Sequence, residues 1–162
     1  MSFHHNPDEW LFLAQKENCP YCQNADDPSN SVTLKLFKHS ELCAHPQVSL
    51  KGTCYLITQE HYVELFDMEP ETLSGFMQEV QLAARVLKEV TGAFKINYEI
   101  HGNTVPHLHL HLFPRYLDDP FAATSIDYGR IDPPVYQAGE FEKFVQNMQN
   151  QLRTNNAILI MP

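Results

Sequence analysis

Residues 103–115 read NTVPHLHLHLFPR, and the strict alternation of histidine with leucine constrains the fold of this chain more than any other segment. In a strand, successive side chains point to opposite faces, so His107, His109 and His111 share one side while Leu108, Leu110 and Leu112 share the other. The leucines supply a core face. The histidines, about 6.5 to 7 Å apart along that side, line a surface or cleft. Each of them charges near neutral pH and repels the next, so the row is costly to keep unless something uses it.

The rest of the chain builds a sheet around that strand. VTLKLFK (32–38) alternates as a half-buried strand should, and GTCYLIT (52–58) is rich in strand formers. Leu73, Phe76, Met77, Val80, Ala84 and Leu87 then recur at helical spacing, with Pro70 and Glu71 suited to a first turn and Gly92 to the stop. FKINYEI (94–100) is a further strand. It pairs with the histidine strand antiparallel, because a connection of about six residues is too short for a parallel crossover. Residues 117–139, rich in Asp, Pro and Gly, form an irregular excursion before an amphipathic helix from Glu140 to Arg153, with Phe141, Phe144, Val145, Met148 and Leu152 on one face. The closing AILIMP (157–162) suits an added strand, a piece docked on a partner subunit or a frayed end. The expected class is α+β: an antiparallel sheet of about five strands with one long helix and a C-terminal helix. A chain of 162 residues is expected to be a single domain over 1–162, with an N-terminal segment to 31, a core over 32–116, and the excursion and last helix over 117–162.

Twenty acidic residues against eleven basic ones give a formal charge of −9 with no run of Lys and Arg, which disfavours long nucleic acid but not a small anion held by directed donors. No apolar run is long enough to cross a membrane, and MSFHHNPDEW lacks the basic and apolar regions of an export signal, so the expected location is the cytoplasm. The four cysteines are then read as thiols. Cys43 and Cys54 stand in apolar surroundings as core residues. Cys19 and Cys22 form CPYC, a spacing shared by zinc sites, redox motifs and chance.

For the histidines, two chemistries compete. Imidazoles in a row can hold one catalytic metal with an open position, or one can attack phosphorus while its neighbours orient it and hold oxygens. Asn97, Gly102, Asn103 and Thr104 bring amides, a hydroxyl and a backbone turn to the approach, which suit phosphate or ribose oxygens. Glu99 is the one carboxylate available as a hydrolytic base, and alternation does not obviously aim it at the histidines.

HLHLHLFPR matches the His-x-His-x-His signature of the histidine triad family of nucleotide hydrolases and transferases. NYEIHGNTVPHLHLHLFPRY resembles its dinucleoside polyphosphate hydrolase branch, and KGTCYLITQEHYVELFDMEPETL resembles the family's preceding strand, loop and helix. The resemblance covers about residues 33 to 116. It implies that His109 is the nucleophile toward the α-phosphorus of a nucleotide, that His111 contacts phosphate oxygens, and that Asn97, Gly102, Asn103 and Thr104 complete the cradle. It also implies a structural zinc on Cys19, Cys22, His61 and His107 that pins the N-terminal segment, no organic cofactor, a nucleotide or dinucleotide substrate, and a homodimer.

The chain departs from the family pattern at Thr53, where many members carry a phosphate-contacting histidine, and at His45, near a position that many use for the ribose. His4, His5 and His39 are read as surface residues, while His101 is a second candidate for the cradle. Arg115 is either close to the phosphates or in a surface salt bridge. Leu36, Phe37 and Ile57 are candidate base walls. Two other functions stay open: a hydrolase using His107, His109 and His111 on one catalytic metal, and a nucleotide-binding protein without turnover.

Overall fold

In the computed structural model, which describes residues 6–23, 31–121, 123–131 and 133–155, the chain opens with a short helix α1 (Pro7–Leu13) and a 3₁₀ turn at Lys16–Asn18. There follow β1 (Val32–Leu36), β2 (Ser40–Ala44), β3 (Cys54–Thr58), the long helix α2 (Pro70–Thr91), β4 (Lys95–Ile100), β5 (His109–Arg115) and α3 (Glu140–Thr154). The five strands form one sheet in the order β1-β2-β3-β5-β4, with every neighbouring pair antiparallel. This is the expected α+β architecture.

The leucine side of β5 enters the core as the alternation requires. Leu108, Leu110 and Leu112 join Leu42 and Leu56 of the sheet, Phe76, Val80 and Leu87 of α2, and Phe144, Met148 and Leu152 of α3 in one buried cluster. A fully buried side chain such as Phe76 or Leu87 contributes about 1.5–3 kcal/mol. Pro70 opens α2, and Gly92 closes it at φ 68°, a left-handed conformation that favours glycine. One polar group on α2 is buried for a structural purpose: the Glu79 carboxylate accepts from the His39 N–H at 2.9 Å and the Ser40 hydroxyl at 2.7 Å, clamping the β1–β2 turn. One turn earlier, Gly75 leaves room for the His39 ring, which an added Cβ would strike.

Local patterning misses three features. It assigns no strand between 38 and 52, yet β2 lies there: Leu42, Cys43 and Ala44 are all buried, so a central strand with both faces covered shows no alternation. It assigns no helix before Cys19, because α1 buries none of its residues. That helix is instead announced by its cap, in which the Asn6 side chain accepts from the N–H groups of Asp8 and Glu9. Finally, the paired part of the histidine strand begins at His109, since the His107 N–H turns back onto the Val105 carbonyl at 2.9 Å across Pro106. The AILIMP tail lies outside the described residues.

The opposite face of the sheet carries the site. Leu36, Glu41, Ile57 and His109 lie in register across it, followed by Cys43, Tyr55, His111 and Glu99. The 117–139 excursion covers part of this face, with Phe121 and Ile126 packed on Phe113 and Leu50 in a second small core.

Candidate functional site

Cys19 follows the Lys16–Asn18 turn, Cys22 lies one turn on, His61 comes just after β3, and His107 just before β5. Their ligand atoms lie within 4.8 Å of one another. Sγ of Cys19 is 3.2 Å from Nδ1 of His107, Sγ of Cys22 is 3.3 Å from Nδ1 of His61 and 3.6 Å from that of His107, and the two Nδ1 atoms are 3.4 Å apart. Both rings are oriented by a carbonyl that can only accept: His61 donates from Nε2 to Ala14 O at 2.8 Å, and His107 from Nε2 to Thr58 O at 2.8 Å. In each neutral ring the lone pair is therefore on Nδ1, facing the sulfurs and the other ring. Two lone pairs 3.4 Å apart repel unless a cation lies between them.

A Cys₂His₂ donor set fits zinc in chemistry and in size. Bonds of about 2.0–2.1 Å to nitrogen and about 2.3 Å to sulfur at tetrahedral angles require N···N near about 3.4 Å and N···S near about 3.6 Å. Burial lowers the pKa of His107, which keeps the ring neutral, as a metal ligand would have to be. Burial and the neighbouring Cys19 push the Cys22 thiol up to about 11, so its deprotonation needs a cation such as this one. Among the described residues, neither His109 nor His111 belongs to a group able to share an ion.

His109 starts the ladder of β5 and donates from Nδ1 to the His107 carbonyl at 2.7 Å, which leaves its lone pair on Nε2. Burial lowers its pKa, and the neighbouring His101 lowers it further against the opposing effect of that backbone hydrogen bond, so the ring is neutral at neutral pH. His111 is pushed down to about 3 by burial and by His109 and His101. Its ring stacks on Phe113 at 5.6 Å and meets Tyr128 edge-on at 5.4 Å. It is thus a neutral N–H donor at working pH. Tyr21, inside CPYC, lies 5.4 Å from the His107 ring and 6.4 Å from the His109 ring, so the cysteine knuckle reaches both histidines.

The four cradle candidates separate. Gly102 and Asn103 line a cleft of about 420 Å³ together with His101, His109 and Trp10, whose indole N–H donates to Gly102 O at 2.9 Å. Thr104 is exposed on the following turn. Asn97 is paired with Phe113, four residues or about 13 Å along the strand from His109, and its side-chain Oδ1 accepts from Lys95 Nζ.

Other expectations need correction. Glu99 does share the histidine face, in register with His111, and its carboxylate accepts from Tyr128 at 2.8 Å and lies 3.0 Å from Nε2 of His101. Phe37 belongs to the helix-side core, whereas Ile57 adjoins His109 and Leu36 is exposed on the same row. Thr53 turns its hydroxyl to Leu50 O at 2.8 Å, and His45 accepts the Gln47 N–H at 2.8 Å. Trp10, Tyr21 and Tyr128 escape sequence reasoning altogether. The one available signal is that Tyr21 sits between the two cysteines.

Arg115 is not at the surface: it is buried and in an ion pair within the protein. It donates from Nε and Nη2 to both carboxylate oxygens of Asp119, at 2.8 and 2.9 Å, and again to Phe121 O, with both residues buried. The Arg115 guanidinium holds the Asp119 carboxyl below the usual carboxylate range. A depressed folded-state pKa contributes stability that is present above the unfolded value, near about 4, and lost as pH falls through the folded one. Asp119→Asn should therefore cost about 3 kcal/mol in urea denaturation at pH 7, because Arg115 is left buried without its counter-charge. The gap should narrow below about pH 4 as the wild type loses the same charge. An equal gap at pH 7 and at pH 2.5 would contradict this assignment.

The profile described as HIT domain matches residues 29–118. The bis(5′-nucleosyl)-tetraphosphatase (asymmetrical) of Schizosaccharomyces pombe is 30% identical over 88 residues, which is 51% of this chain and 48% of that protein. The chain thus spans about half the length of this curated relative. A histidine triad protein from Sinorhizobium meliloti 1021 superposes with a TM-score of 0.66 at 24% identity, over 76% of this chain and 90% of the other. A zinc-bound histidine triad family protein from Mycobacterium smegmatis gives 0.63 at 21% identity, over 89% and 99%. At these identities the two structures show a common fold.

Proposed function

Because the chain belongs to the HIT (histidine triad) domain family, we propose that it is a nucleotide hydrolase or transferase that cleaves a phosphoanhydride or phosphoramidate bond through a nucleotidyl-histidine intermediate. The observation that carries this reading is the Nδ1–H of His109 donated to the His107 carbonyl at 2.7 Å, which presents a neutral Nε2 lone pair to the cleft. Nε2 attacks the α-phosphorus; a P–N bond forms as the bond to the leaving oxygen or nitrogen breaks. Water then cleaves the P–N bond, releases the nucleoside monophosphate and returns the electron pair to Nε2. Splitting one displacement into two is the advantage of covalent catalysis. His111 donates a neutral N–H to a phosphoryl oxygen, and the Gly102–Asn103 turn and Thr104 offer further donors at the approach. Asn97, which faces Phe113, touches substrate only beyond the reacting phosphate in this reading.

Cys19, Cys22, His61 and His107 would hold a zinc ion. Four protein donors leave it no open position, so it supplies support rather than Lewis acidity. Held there, His107 offers its carbonyl to His109 at a constant angle. This arrangement argues against one catalytic metal shared by the whole histidine row, since the Nδ1 lone pair of His107 faces Cys19 and Cys22 rather than His109 and His111.

The substrate is a nucleotide or dinucleotide, in line with the name of the Schizosaccharomyces pombe relative. A homodimer belongs to the same proposal: β4 is an edge strand, and Tyr98 on it and Met77 on α2 are exposed and border one depression. None of the described helices is long and apolar enough to cross a membrane. Cys19, Cys22, Cys43 and Cys54 form no disulfide, which suits a reducing compartment such as the cytoplasm.

The test is covalent trapping. Wild-type protein mixed with nucleotide-labelled substrate and denatured in alkali, which preserves a phosphoramidate, should carry label on His109 within the first turnover. Turnover without any protein-bound label would leave the metal-hydrolase reading, and binding without turnover would leave the non-catalytic one.

A further inference from the structure

His109 stands between two different surfaces. On one side the row Ile57, Glu41 and Leu36 crosses β3, β2 and β1. On the other, past the end of β4, lies the cleft of about 420 Å³ formed where α1 folds over the 102–103 turn. A phosphorus atom at Nε2 has substituents to send both ways, so the second surface needs an occupant of its own.

The cleft wall is apolar and already held in place. Leu11 and Ile100 contribute to it while remaining 59% and 41% exposed, so the described chain leaves much of their apolar surface in water. Trp10 is half-buried, and its Nε1–H bond to Gly102 O ties the ring to the turn beside His109. α1 is tethered in turn at its C-terminal end, where Ala14 O accepts from His61 of the four-donor group. None of the residues lining the cleft is a lysine or arginine, and Glu64 adds negative charge, so beyond the Gly102–Asn103 turn, at the wall of Trp10, Leu11 and Ile100, a free phosphate end is a poor fit. The volume exceeds what a small amine or an inorganic anion fills and lies in the usual range for a drug-sized ligand.

We propose that this cleft, walled by Trp10, Leu11 and Ile100, is a second nucleoside subsite that takes the aromatic base of the leaving half of a dinucleotide. The assignment rests on the covalent reading of His109 for the word leaving, but its binding claim does not depend on turnover. Trp10 stacks against the base, Asn103 lies beside the phosphate chain, and the transferred nucleoside lies over the Ile57 row. A protein built this way prefers dinucleotides to nucleotides that end in a free phosphate.

Trp10 is the single tryptophan of the chain, so its emission reports the cleft directly. Titration with a methylene-bridged, non-hydrolysable diadenosine tetraphosphate should change Trp10 emission, whereas adenosine monophosphate, saturating by calorimetry, should leave it nearly unaltered. Trp10→Ala should weaken the dinucleotide analogue about tenfold relative to adenosine tetraphosphate, as loss of one base–aromatic stack predicts. Trp10→Phe should restore most of that difference. No emission change with the dinucleotide analogue up to millimolar concentration overturns the subsite. So does an equal change with the monophosphate, which would put the transferred nucleoside in the cleft, and so does equal weakening of both ligands by Trp10→Ala. A Trp10 response without trapped label on His109 would retain the subsite and remove the covalent mechanism; trapped label without the response would do the reverse.

Discussion

Replacing His109 with asparagine should lower turnover by about 10⁴-fold or more, the scale on which loss of a covalent nucleophile is felt. Asparagine is the informative choice because its side-chain N–H₂ can still donate to the His107 carbonyl that His109 Nδ1 meets at 2.7 Å. The strand geometry is kept while the attacking lone pair is removed. Bound zinc and thermal stability should change little, since His109 is not in the four-donor group. Dinucleotide affinity should also remain, because Trp10, Leu11 and Ile100 are untouched. Rate assays, metal analysis and calorimetry on one preparation separate the readings. Zinc loss alongside activity would place the metal on the histidine row, and retention of more than a few per cent of activity would sink the nucleophile.

The second large effect is expected from the other side of His107. A Cys19→Ser, Cys22→Ser double variant should fall from about one zinc per chain to none, because a closed site of this kind needs all four donors. A ligand that binds only the folded state, at 1,000 times its dissociation constant, contributes about 4 kcal/mol. For a chain of this size that corresponds to a fall in Tm on the order of 10 °C. Activity should drop 10- to 100-fold, roughly the penalty for losing groups that orient a functional imidazole. The route is physical: His107 without its partners can turn, and its carbonyl no longer holds the proton of His109 on Nδ1. Trp10 would loosen too, since α1 is tied to His61 through Ala14. Treatment of the wild type with a strong chelator should reproduce these changes, and added zinc should reverse them. Unchanged zinc content in the double variant would remove the site from the account.

The legible part of this protein was local. Period-two alternation told that Leu108, Leu110 and Leu112 face a core, and period-3.6 spacing with Pro70 and Gly92 told where α2 runs, because both signals depend on neighbours a few residues away. β2 escaped because a strand buried on both faces has no alternation to show, and α1 because it buries none of its residues. The pairing of CPYC with His61 and His107 was legible through resemblance to a family. Cysteine spacing alone leaves the other two ligands open.

By itself, then, the sequence determined the row of histidines, the core behind it and the helix that covers it, since covalent alternation dictates which side of a strand a residue occupies. Only the tertiary structure decided that the three histidines are unequal. His107 is turned out of the ladder toward two cysteines 85 and 88 residues away in sequence, His109 has its proton held by a carbonyl, and His111 is kept neutral against Phe113 and Tyr128. The same is true of Glu99 beside His111 and of Trp10 over the cleft, 92 residues from the glycine it bonds. Which nitrogen carries a proton, and what a side chain meets, depends on groups within about 3 Å in space, and no local pattern records who those neighbours are.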